Sequence, residues 1–270
     1  MSDNDFQRIA RYSGFAPRIW VDDLRAEKLQ VQEVESTGIF EDFDVLVNPF
    51  GERYLESDVG NMRNLKQIKK FVQGGGVFVN TGGLAFYYMY DPKSNVEGFT
   101  GPMFEFLQGG VTNIPYQGVI GAYKPSTILE PRVLPESSSL IDTWLFRTLG
   151  IRITLSVEKD GTIQHAHKDF ADILPSDSKM QEFRAIERCE STEAVLVPIF
   201  KSEYQYVDTG QKHECYPIGA VRYGLGYFII CGIILTEERH KTLIERTIVR
   251  ACSILAERGR LEGSAPLVLS

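Results

Sequence analysis

The chain has 270 residues, of which 43% are hydrophobic and 24% charged, with a formal net charge of −7; these are globular values, and the length suits one α/β domain carrying insertions. The acid excess argues against a nucleic-acid partner, which needs a positive footprint. No stretch reaches the roughly 20 apolar residues of a membrane span, and the start MSDNDFQRIA has no apolar core of a secretory signal.

In chain order, residues 1–15 are polar and read as a flexible arm. Arg18–Asp23 (RIWVDD) reads as a short strand ending in two acids. Leu29–Glu35 alternates apolar and polar residues, as a half-exposed strand does. Phe43–Asn48 (FDVLVN) reads as a strand covered on both faces and stops at Pro49-Phe50-Gly51. Met62, Leu65, Ile68 and Val72 then recur at helical spacing. The cations from Lys66 to Lys70 form that helix's solvated face. Gly74-Gly75-Gly76 ends it, because glycine takes the left-handed cap at no steric cost. Val77–Asn80 (VFVN) is a second buried strand, halting at Thr81-Gly82-Gly83, and the apolar, aromatic run Leu84–Tyr90 is given helical character.

Two buried strands joined by a crossover helix are expected to be parallel with a right-handed connection. The expected fold class is therefore α/β: a doubly wound, mostly parallel sheet with helices on both faces. Residues 91–180 are rich in glycine and proline and poor in periodicity, and read as a large central insertion or lid within a single domain spanning 1–270. A short helix over Leu140–Leu149 and a strand over Arg152–Val157 are the elements assigned there. Order returns with strands at Ala194–Ile199, Ile218–Arg222 and Tyr227–Leu235. The turn Tyr223-Gly224-Leu225-Gly226 makes the last two a hairpin. Thr236 caps a long terminal helix with Glu237 and Glu238 in its first turn and Ile244, Ile248, Ala251 and Leu255 on its buried stripe.

FDVLVNPFGERYLE followed by KQIKKFVQGGGVFVNTGG, and YPIGAVRYGLGYFIICGIIL followed by a long helix, resemble the class I glutamine amidotransferase-like superfamily. The similarity is to the trimerisation domains of certain β-galactosidases and to ThuA-like proteins. It covers about 40–90 and 185–258. In catalytic members the turn after the second of these strands is a nucleophile elbow holding a cysteine. The resemblance puts Thr81 at that place, and no histidine follows the final strand until His240. A threonine hydroxyl is a far weaker nucleophile than a thiolate and needs an adjacent base. The resemblance therefore implies the superfamily's fold without its usual glutamine hydrolysis.

Ligands bind open α/β sheets at the carboxyl ends of parallel strands. That rule gathers Asp22, Asp23, Asn48, Glu52, Asn80, Thr81, Gly82 and Gly83 as the candidate site. Such an acidic and polar set suits a sugar, a polyol or a carboxylate-held cation. The alternative is that Asp22 and Asp23 cap a turn while Asn48 and Asn80 bond local backbone. A phosphorylation-receiver reading fails because Asn48 stands where the phospho-accepting aspartate should be. His213-Glu214-Cys215 offers a Cys–His pair or a surface loop, and His165 and His167 alternate as two metal ligands lacking a third. The four cysteines, Cys189, Cys215, Cys231 and Cys252, form no C-x-x-C pair; Cys231 and Cys252 read as inert core thiols. Phe86-Tyr87-Tyr88-Met89-Tyr90 is either a pocket wall or core packing.

The functional expectation is a non-catalytic module in the cytoplasm that binds a small polar ligand or a protein partner. It would have no cofactor, no metal, no nucleic acid and no membrane, and would act alone, as a homo-oligomer or as a subunit of a larger complex. The rival expectation is an enzyme acting on a carbohydrate-like substrate at the strand ends.

Overall fold

The computed structural model describes residues 8–12, 30–34, 43–48, 53–55, 63–83, 85–86, 88–91, 96–99, 151–154, 161–173, 178–180, 183–205, 211–233 and 238–261. In chain order they form β1 (Arg8–Tyr12), β2 (Gln30–Val34), β3 (Val45–Asn48), β4 (Arg53–Leu55), α1 (Arg63–Gln73), β5 (Val77–Asn80), β6 (Tyr88–Asp91) and β7 (Val96–Phe99). Then come β8 (Ile151–Thr154), β9 (Gly161–His165), β10 (Ser178–Met180), β11 (Ala185–Cys189), β12 (Ala194–Gln205), β13 (Lys212–Tyr223), β14 (Gly226–Cys231) and α2 (Glu238–Arg258). A 3-10 turn at Lys168–Phe170 follows β9.

Eleven strands share one sheet, whose main path runs β10-β9-β12-β13-β14-β5-β3-β1-β2, with β11 and β8 branching from β13. Strands β2, β1, β3, β5 and β14 pair in parallel. From β14 outward through β13, β12, β9 and β10 every pairing is antiparallel. The sheet is thus mixed, where a mostly parallel one was expected. Connection length is the cause. A parallel neighbour needs a crossover of a dozen or more residues, whereas Tyr223 pairs with Gly226 across a two-residue turn. A separate small sheet joins β4 to β6 in parallel and β6 to β7 antiparallel.

Three sequence expectations change. Residues 8–12, expected within the arm, form β1, which lies between β2 and β3 and pairs with both. The run expected to be helical after Gly83 instead enters β6, since a short apolar run fits either state until its neighbours are known. The span 91–180 is not wholly an insertion: β9 pairs with β12, and β10 with β9, inside the main sheet. The strand expected at Arg18–Asp23, the helix at Leu140–Leu149 and the cap at Thr236 lie outside the described residues.

The central strands β3, β5 and β14 have no solvent-exposed residue. Strand side chains alternate between faces. Val45, Val47, Val77, Val79, Tyr227, Ile229 and Cys231 pack into one cluster with Ile244, Ile248, Ala251, Cys252 and Leu255 of α2. The intervening Leu46, Phe78 and Phe228 therefore face the other way, where Phe78, Phe86 and Phe228 join ring to ring. Fully burying a side chain of this size stabilises by about 1.5–3 kcal/mol, so these two layers carry much of the fold.

Helix α1 buries Leu65, Ile68 and Val72 of the predicted stripe, together with Asn64, while Met62 lies outside the described residues. Its end is a Schellman cap: the Gly76 N–H donates to Phe71 O and the Gly75 N–H to Val72 O, both at 3.0 Å. Gly75 holds φ at +114°, which an L-residue rarely adopts.

Candidate functional site

Register places Asn48 of β3 beside Asn80 of β5, and Asn80 beside Ile230 of β14, at the carboxyl ends of three parallel strands. Asn48, Asn80 and Thr81 are all 0% exposed. Their polar groups bond to one another. Asn48 Nδ2 donates to Asn80 Oδ1 at 2.9 Å, and Asn80 Nδ2 donates to the Gly82 carbonyl at 3.0 Å. The Thr81 N–H (3.2 Å) and hydroxyl (2.9 Å) both donate to the Asn48 carbonyl. A buried hydrogen bond contributes about 0.5–1.5 kcal/mol net, but leaving its partner unsatisfied costs about 1–3 kcal/mol. The network is therefore a tie between β3, β5 and the following turn.

That arrangement alters the reading of Thr81. A nucleophile elbow must present its oxygen to a substrate, and here the hydroxyl is sealed and already donating. The left-handed residue of the turn is Gly83 (φ 63°), not Gly82. Past it, Phe86 holds φ at 59°, the only non-glycine residue with positive φ among the described residues. A bulky residue in that region carries strain of about 1–3 kcal/mol. Its ring is 1% exposed and stacks on Phe78 at 5.0 Å with edge contact to Phe228 at 6.0 Å. Packing holds the backbone in place, so for Phe86 the core reading stands over the pocket wall. Nothing in the sequence signals a strained phenylalanine there, because positive φ is ordinarily left to glycine.

Of the predicted site, the structure unites Asn48, Asn80, Thr81 and the Gly82 carbonyl. Asp22, Asp23 and Glu52 lie outside the described residues. His240, the first histidine after the final strand, is 0% exposed on α2.

Of the other candidate clusters, one stays together on a single strand and the other does not. His213 and Cys215 lie on β13 rather than in a loop, and Cys215 is 0% exposed. His165 is exposed, while His167 is buried and caps the 3-10 turn by accepting the Asp169 N–H at its Nδ1 (3.3 Å). The pair does not share a face, and among the described residues no group of three or more His, Cys, Asp or Glu is placed to hold a metal.

Cys231 and Cys252 are fully buried, and desolvation pushes both thiols up. For Cys252 burial, helped by the charge of Asp44, raises the pKa from 9.0 to about 12. The sign follows directly. An unfolded thiol ionises first, so the contribution is intact below pH 9 and lost as pH climbs from 9 towards 12. Cys252→Ser is therefore expected to flatten the fall in stability over that window, read by denaturant midpoints. An unchanged slope would mean that Cys252 titrates normally. Cys189, half-buried with its Sγ donating to Ala194 O at 3.6 Å, should be the first thiol alkylated.

No protein-family profile matches the chain, and no curated protein matches it. Among solved structures it is similar to a β-galactosidase from Bacillus circulans sp. alkalophilus, with 10% identity and TM-score 0.48, over 94% of this chain and 31% of that one. It is similar to a cytoplasmic protein from Salmonella typhimurium LT2, with 10% identity and TM-score 0.47, over 92% and 98%. It is also similar to a putative ThuA-like protein from Bacteroides uniformis, with 8% identity and TM-score 0.37, over 90% of each chain. The chain spans about a third of the length of the β-galactosidases it matches. These likenesses are too low to carry an activity over to this chain.

Proposed function

We propose that this chain is a non-catalytic, amidotransferase-like module that binds a small polar ligand or a protein partner, with α1 and α2 on opposite faces of its parallel strands. One observation carries the reading: the side chain at the elbow position, Thr81, is fully buried with its hydroxyl donated to the Asn48 carbonyl. A hydroxyl so engaged lacks the exposure that nucleophilic catalysis requires, and it donates to a carbonyl rather than to a base. The opposite placement of the helices is supported by Lys69 of α1, whose Nζ lies 5.5 Å over the Tyr223 ring on the Phe228 side, away from the α2 cluster. Among the described residues, Asn48, Asn80 and Thr81 direct side-chain bonds to one another and to the Gly82 carbonyl.

Two assays test this. Purified protein incubated with glutamine is expected to release no ammonia above buffer, and Thr81→Ala to behave identically. Turnover that disappears in Thr81→Ala would overturn the proposal. A thermal-shift panel of sugars, amino acids and divalent metals separates the two binding modes. A true ligand at about 100 times its Kd adds about 2.7 kcal/mol, a visible shift, and a silent panel favours a protein partner.

A further inference from the structure

Among the described residues, two left-handed positions follow β5 before β6 begins. Gly83 (φ 63°) takes that conformation at no steric cost, whereas Phe86 (φ 59°) is strained by it. Such strain persists only where the surroundings over-determine it, and it gathers at ligand clamps and switch regions. At Phe86 two rings do the holding. Phe78 of β5 stacks on it at 5.0 Å and 24°, and Phe228 of β14 meets it edge-on at 6.0 Å and 81°. The ring is 1% exposed, so packing closes this turn while the backbone at Phe86 opposes closure.

The same turn seals the polar strand ends. The alternation that turns Val77 and Val79 towards α2 turns Phe78 and Asn80 to the other face, so the Phe86 ring lies on the side of the sheet to which Asn80 points. The turn also supplies one end of the buried bonds there. The Gly82 carbonyl accepts from Asn80 Nδ2, and the Thr81 N–H and hydroxyl donate to the Asn48 carbonyl. Past Gly83, Phe86 is the first large side chain described, and it anchors this stretch to the sheet.

We propose that Phe86 is a strained latch: residues 81–83 and 85–86 open together, with the sheet intact, and uncover the ends of β3 and β5 to a ligand. Opening withdraws the ring from Phe78 and Phe228 and relaxes the backbone at Phe86; closing reverses both. The groups uncovered are the Asn48 carbonyl, the Asn80 amide, the Thr81 N–H and hydroxyl and the Gly82 carbonyl. These are neutral donors and acceptors, which suit a hydroxyl- or amide-bearing ligand and not an ion. Binding waits on opening, so the apparent affinity is reduced by the fraction of molecules that are open. The ligand class rests on the proposed binding of a small polar ligand at the strand ends; the latch does not.

Native-state hydrogen exchange of the ligand-free protein, read by NMR, tests the latch. A backbone bond stands at each end of the β3–β5 ladder: Val77 N–H to Asp44 O at 2.9 Å and Thr81 N–H to Asn48 O at 3.2 Å. Simple fraying treats the two alike. A latch makes the Thr81 amide exchange by local opening, with a protection factor about tenfold or more below that of Val77 and little response to low denaturant. Phe86→Ala, which removes the ring and keeps the strain, should lower protection at Thr81 by a further tenfold or more, roughly. Ile248→Ala, in the layer against α2, should lower global stability and leave exchange at Thr81 unchanged. The strain has its own readout. Phe86→Gly should melt above Phe86→Ala, the reverse of the usual order, because alanine keeps the penalty of positive φ that glycine escapes. Equal protection at Thr81 and Val77, exchange at Thr81 that ignores Phe86→Ala or follows Ile248→Ala, or Phe86→Ala melting above Phe86→Gly overturns the proposal. Local exchange at Thr81 with no thermal shift from sugars or amides supports the latch and overturns the ligand class assigned to it.

Discussion

Gly226→Ala is expected to destabilise the protein by about 3 kcal/mol or more, at the upper end of what one added methyl does. A Cβ at Gly226 would stand 2.1 Å from the Gly76 carbonyl oxygen and 2.3 Å from that of Val72. Both are backbone atoms of the capped end of α1, so no side chain can rotate away. The Tyr227 N–H donates to the same Gly76 oxygen at 3.2 Å, and the clash would break that bond or lift the helix end. Gly74→Ala is the control. Its nearest neighbours would be ordinary contacts at 3.5 Å, and its stability should stay within about 0.5 kcal/mol. Equal denaturant midpoints for the two variants would mean that α1 does not rest on the hairpin as described.

Asn80→Asp should cost about 3 kcal/mol or more at neutral pH, because it keeps the shape and destroys the chemistry. The amide now accepts from Asn48 and donates to the Gly82 carbonyl. A carboxylate can still accept, but it places a charge at a 0% exposed position against a carbonyl oxygen. Burial raises the variant's carboxyl pKa, and the protonated acid can donate to Gly82 as the amide does. The sign is that of a raised acid: the penalty is full at neutral pH and shrinks as pH falls. Unfolding of variant and parent at several pH values reads this directly. A pH-independent difference would mean that the side chain at residue 80 is open to water.

Strands β3, β5 and β14 were legible because each is short, wholly buried and bounded by turn residues. Val45–Asn48 and Val77–Asn80 needed no partner to be recognised, and the stripe Leu65, Ile68, Val72 with three glycines marked α1 and its end. Strand β1 was hidden because RIARY has no clean alternation and is a strand by virtue of β2 and β3 on either side. Strands β9 and β10 were missed for a related reason: β9 pairs with β12, distant in sequence, across a segment of poor periodicity. At the candidate site the residue types at the strand ends were visible. Their bonding to one another depends on register, which aligns Asn48 with Asn80 and which no local pattern encodes.

The most direct measurement is the unfolding free energy of Thr81→Val, which replaces the hydroxyl with a methyl group at a fully buried position. If that hydroxyl ties β5 to β3 through the Asn48 carbonyl, stability falls by about 1–2 kcal/mol. An unchanged or higher stability would contradict the account: the hydroxyl would then be free, as a nucleophile's must be, and the strand ends would be an open site.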